Sequence, residues 1–62
     1  MNEYTLIREI QRLTEDWYFD DWRKFRRTYN YWEVKDKLYK EKKYFQFKQF
    51  KYVCLRNYLN LD

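Results

Sequence analysis

Four bases crowd into five residues: Arg23, Lys24, Arg26 and Arg27. Guanidinium forks match phosphate oxygens in two-point contacts, and a helix that carries them can enter a nucleic-acid groove. Asn30 follows Arg26 by one helical turn and shares that face. Lys48 and Lys51 add positive field in the last third of the chain. The alternative for the same side chains is a solvated face that keeps an aromatic-rich protein dispersed. The lysines between Lys35 and Lys43 are interleaved with Glu33, Asp36 and Glu41. Pairs such as Glu33–Lys37 and Asp36–Lys40 are four residues apart, so pairing along one helix accounts for much of that run.

The acids lie elsewhere. Glu15, Asp16, Asp20 and Asp21 cluster ahead of the bases. Asp16 and Asp20 are one turn apart and could face a divalent cation. Asp16, Asp20 and Asp21 could also mimic nucleic-acid phosphates toward a protein partner. Helix capping and dipole matching explain the cluster more simply than metal binding, so neither a metal nor a cofactor is expected. Residues 1–21 carry a net charge of −4 and residues 22–62 a net +8, within a total of +4. Such a dipole attracts polyanions at one end and repels them at the other.

Much chemistry is excluded. Without His or Ser the Ser-His-Asp and Cys-His arrangements cannot form. Without Gly no phosphate-cradling Gly loop exists. The single Cys54 has no disulfide partner within the chain and reads as a small buried hydrophobe. An enzyme is therefore not expected. A lone thiol suits a reducing cytoplasm, and the start of the chain lacks the basic-then-apolar pattern of a secretory signal. No apolar run reaches the roughly 18 residues of a membrane span. Gly, Pro, Ala, Ser and His are all missing while Lys, Tyr, Phe and Asn abound. That bias matches AT-rich coding, as in a phage or another mobile element.

These groups must be positioned by a small fold. A chain of 62 residues makes one domain, 1–62, and buries only about 60% of its unfolded surface. Its sixteen aromatics must supply the core. Leu6, Ile10, Leu13 and Trp17 form one helical stripe, placing a first helix over residues 3–15. Arg12 can pair there with Glu9 or Glu15. Tyr18, Trp22, Phe25, Tyr29 and Trp32 form a second stripe, one residue out of phase with the first. The slip predicts a bend near Asp16–Trp17, with Thr14 or Asp16 capping the next helix. In the last third, Phe47, Phe50, Cys54, Tyr58 and Leu61 follow helical spacing, beside Phe45, Tyr52, Leu55 and Leu59. Lys48 and Lys51 interrupt that arc, and a break is expected near Lys40–Tyr44.

The pattern predicts an all-α, three-helix bundle with an aromatic-rich core. The alternative is α+β, with N-terminal helices followed by a small antiparallel β-meander, since residues 28–54 also look strand-like by propensity. The Lys42–Lys48 stretch alternates bases and rings in a way that suits base stacking, although core packing explains it more simply. A bundle this small cannot hide every ring, so the surplus should face a partner or a second copy, as in a homodimer. The expected role is a small non-enzymatic binding protein that contacts nucleic acid or a nucleoprotein through basic helical faces. Arg23, Arg26 and Arg27 would carry backbone contacts, with Lys24, Lys48 and Lys51 adding field. The alternative is a protein-interaction module, such as a phage inhibitor of a host nucleic-acid enzyme, acting through exposed aromatics and the acidic patch.

Overall fold

A computed structural model describes residues 2–61; Met1 and Asp62 lie outside the described residues. Four helices follow one another: α1 (Glu3–Leu13), α2 (Phe19–Thr28), α3 (Tyr31–Lys40) and α4 (Tyr44–Tyr58). The all-α expectation stands. The count of three helices is corrected to four, and no strand occurs among the described residues. Aromatic residues with strand propensity lie instead on helices that each bury part of their surface. No helix among the described residues is long and apolar enough to cross a membrane.

The extra helix comes from a cut in the second aromatic stripe. Asn30 adopts a left-handed conformation, φ 50°, between α2 and α3. Asn tolerates that region better than most residues, because its short amide can bond locally. The stripe from Tyr18 to Trp32 is thus shared by two helices. The expected break before Tyr44 is also a left-handed turn. Lys42 has φ 60°, with Lys43 N–H donating to the Leu38 carbonyl at 2.7 Å and Lys42 N–H to that of Tyr39 at 3.0 Å. This pair of bonds is a Schellman closure, normally built around Gly. α4 ends in the same way, through Asn60 at φ 56°. Its bonds run from Leu61 N–H to the Arg56 carbonyl and from Asn60 N–H to that of Asn57.

The helix starts are capped locally. Asn2 Oδ1 accepts from Thr5 N–H at 2.8 Å to open α1. The cap foreseen for α2 is corrected. Thr14 closes α1, its hydroxyl donating to the Ile10 carbonyl at 2.8 Å. α2 begins after Tyr18, whose N–H donates to Asp21 Oδ2 at 2.8 Å. Arg12 pairs with Glu9 at 2.8 Å. The spaced pairs foreseen around α3 do not form; Glu41 instead meets Lys43 at 3.2 Å.

α1 packs on α4, α4 on α3, and α3 on α2. The core is Leu6, Ile10, Phe25, Tyr31, Phe47, Cys54 and Leu55. Phe25 has no exposed surface and is its hub. Trp17, Trp22, Tyr31 and Tyr58 meet it edge-on at centroid distances of 5.7, 6.1, 5.8 and 5.6 Å. Tyr29 meets it tilted at 5.6 Å. Edge-to-face pairs place a ring's positive rim against its neighbour's negative face, which adds to the gain from burial.

Candidate functional site

Positive side chains and aromatic rings alternate across three helices. Lys51 on α4 lies 4.7 Å from the Trp22 ring centre on α2. Arg26, one turn along α2, lies 5.9 Å from the same ring and 5.4 Å from Trp32 on α3. Lys35 lies 5.1 Å from Trp32 and 5.5 Å from Tyr39. Lys51, Trp22, Arg26, Trp32, Lys35 and Tyr39 thus form one continuous ladder. Helical spacing supplies most rungs: Trp22–Arg26 and Lys35–Tyr39 are four residues apart, and Trp32–Lys35 three. The left-handed turn at Asn30 supplies the crossing from Arg26 to Trp32. Each contact is worth about 0.5–1 kcal/mol when exposed and roughly 2 when desolvated.

Among the described residues the ladder cations form no ion pair: no carboxylate lies within 4 Å of Arg26, Lys35 or Lys51, and the ion pairs present are Arg12–Glu9, Lys43–Glu41 and Lys48–Glu3. All three ladder cations are half-buried. Burial pushes the Lys51 ammonium below its ordinary pKa, and the charges of Arg26, Lys35 and Lys48 push the same way. Tyr31 beneath the ladder is held above its ordinary value, chiefly by burial and against the field of Arg26. A cluster of this kind gains from an anion that neutralises it.

The residues expected to act together are divided by the fold. Arg26 and Lys51 belong to the ladder. Arg23, Lys24 and Arg27 are exposed on the outer side of α2, around an open depression of about 240 Å³ that they share with Asp20. Arg23 lies over the Phe19 ring at 6.0 Å. Asn30 forms the interhelical turn and its side chain caps nothing. Lys48 bonds Glu3 at 2.6 Å, tying α4 to α1. The acids do not converge either: Asp21 caps α2, while Asp16 and Asp20 are exposed. Trp22, Trp32 and Tyr39 were not among the candidates, and Lys35 entered only within a run that pairing along the helix was expected to explain. Their signal is present in the sequence as base–aromatic pairs three and four residues apart.

Other surfaces offer less. The outer face of α1 carries an open depression of about 530 Å³ around Arg8, Glu9, Arg12 and Glu15, where charges of both signs face solvent. A groove of about 370 Å³ runs between α1 and α4 past Leu6, Phe45, Tyr52 and Val53. Among the described residues, no three His, Cys, Asp or Glu side chains gather to hold a metal ion. Cys54 is buried, and its thiol is pushed up by that burial. Comparison with protein-family models, curated proteins and solved structures gave no match.

Proposed function

We propose that this chain is a non-enzymatic nucleic-acid-binding protein whose main contacts run along the ladder of Arg26, Lys35 and Lys51. The observation that carries the reading is their convergence from three helices without a carboxylate within 4 Å among the described residues. Bringing like charges together and half-burying them costs stability, and a phosphate backbone offsets that cost. Arg23, Lys24 and Arg27 extend the positive surface around α2. The net charge of +8 over residues 22–62 adds long-range attraction. A nucleoprotein would present the same phosphates, and a cytoplasmic, mobile-element setting fits the composition.

The test is fluorescence anisotropy with labelled oligonucleotides over a salt series. Binding should weaken linearly in log–log form as salt rises, with a slope that counts the phosphates neutralised. Arg26→Gln, Lys35→Gln and Lys51→Gln should each lower that slope by about one. Absence of binding at low salt would remove the reading.

One observation favours a second reading. Tyr18 and Phe19 are 82% and 70% exposed at the α1–α2 turn, beside the exposed Asp16 and Asp20. Exposed rings with acidic neighbours suit a protein partner, such as a host nucleic-acid enzyme, or a second copy of the chain. Under this reading a Tyr18→Ala, Phe19→Ala double variant abolishes capture of one host protein and leaves oligonucleotide binding intact.

A further inference from the structure

We infer that the ligand of this ladder is single-stranded, with unpaired bases stacked on Trp32 and Tyr39; the inference rests on the nucleic-acid reading above. The two rings are large and apolar yet 53% and 44% exposed. They stand seven residues apart on α3, two turns and about 10 Å along the axis. Lys35 lies between them, 5.1 Å and 5.5 Å from the ring centres. Ring, cation, ring is the order a single strand requires, since faces for bases alternate with charge for phosphates. A duplex hides its base faces inside the stack and shows only edges and phosphates, so exposed rings at this spacing gain nothing from it. Tyr39 and Lys51, the two ends of the ladder, both line an open cleft of about 290 Å³ between α1, α3 and α4. Its lining joins apolar Ile7, Ile10 and Phe47 to polar Gln11 and to Lys51. The ladder therefore curves around a concavity with an apolar floor and two lysines, Lys48 and Lys51, in its lining, suited to a further unpaired base. DNA and RNA share this chemistry, as neither stacking nor phosphate pairing needs the 2′-hydroxyl.

The experiment is a competition among single-stranded DNA, single-stranded RNA and duplex DNA of equal length, read by anisotropy and intrinsic tryptophan emission. Single strands should bind at least tenfold more tightly than duplex and quench emission. Trp32→Ala should weaken single-strand binding about tenfold and duplex binding by clearly less, since Arg26 and Lys35 lose a ring partner but keep their charge. Trp32→Phe should restore most of the loss, because Phe keeps a stacking face. Trp32 is exposed, so these variants should fold, and matching circular dichroism checks that they do. Tyr18→Ala is the control and should bind as wild type. Equal or tighter duplex binding, or a Trp32→Ala variant with unaltered single-strand affinity, overturns the inference and leaves the nucleic-acid reading standing. Loss of all binding at low salt overturns both. Preference for RNA over DNA at equal length supports the inference and adds a sugar contact.

Discussion

The Lys51 ammonium lies 4.7 Å from the centre of the Trp22 ring, joining α4 to α2. Its pKa is lowered by burial and then by Arg26, Lys35 and Lys48. Between that lowered value and the 10.5 of an unperturbed lysine, the unfolded chain binds more protons than the folded one. Stability from this group therefore rises with pH across that window. At neutral pH the fold disfavours the charged form of Lys51 relative to the neutral form, a penalty that an anion bound there would relieve.

Lys51→Met should accordingly be more stable than wild type at pH 7, with the advantage shrinking as pH climbs toward 10.5. The comparison must be made between the two proteins. Tyr31 and Cys54, both held above their ordinary values by burial, weaken each fold alike as pH rises. Urea unfolding at a series of pH values measures the gap. A gap constant with pH would show that the folded protein imposes no penalty on the charge.

Phe25→Ala should leave the protein largely unfolded at 25 °C. Phe25 has no exposed surface, and losing such a ring costs about 3–5 kcal/mol. A whole domain is typically stable by only about 5–15 kcal/mol, and small ones lie at the lower end. Phe25→Leu keeps much of the volume and should fold with a lower midpoint. Far-ultraviolet circular dichroism during thermal unfolding distinguishes them.

Lys42→Gly should stabilise. Lys42 sits at φ 60°, where a side chain costs roughly 1–2 kcal/mol and Gly escapes that cost. Part of the gain returns as unfolded-state entropy, leaving about 0.5–1 kcal/mol net. Asn30→Val, a β-branched residue forced to φ 50°, should destabilise by about 1–2 kcal/mol. It should also weaken oligonucleotide binding, since that turn sets Arg26 against Trp32. Denaturant midpoints, with anisotropy for the second variant, check both.

Cys54 should resist alkylation in the folded protein. It is 6% exposed, and burial raises its pKa, which starves it of thiolate at neutral pH. Labelling by iodoacetamide should follow unfolding, accelerating in urea in step with the loss of helix. Rapid labelling in buffer would contradict the burial.

The helical character of the chain was legible because its apolar spacing is 3.6-fold through α1 and α2. The helix count was not, and the reason lies in three residues. Asn30, Lys42 and Asn60 hold the left-handed positions that Gly would ordinarily announce. In a chain without Gly these stops carry little sequence signature. The candidate site was legible only in its charges. Arg26 and Arg27 are adjacent, yet one turns inward to two tryptophans and the other outward to solvent. A helix rotates about 100° per residue, so neighbours in a basic cluster cannot all share a face. Lys48 and Lys51 fall within the apolar arc of α4. Their half-burial reflects specific partners, Glu3 for one and Trp22 for the other.

The order of packing has a consequence for the breathing of the fold. α2 lies at one end of the chain of contacts that runs from α1 through α4 and α3. Side chains from Phe25 to Tyr58 and from Trp22 to Lys51 link it directly to α4. An anion seated among Arg26, Lys35 and Lys51 spans that junction as a clasp. Amide protons of α2 would then trade with solvent more slowly in the bound protein than in the free one.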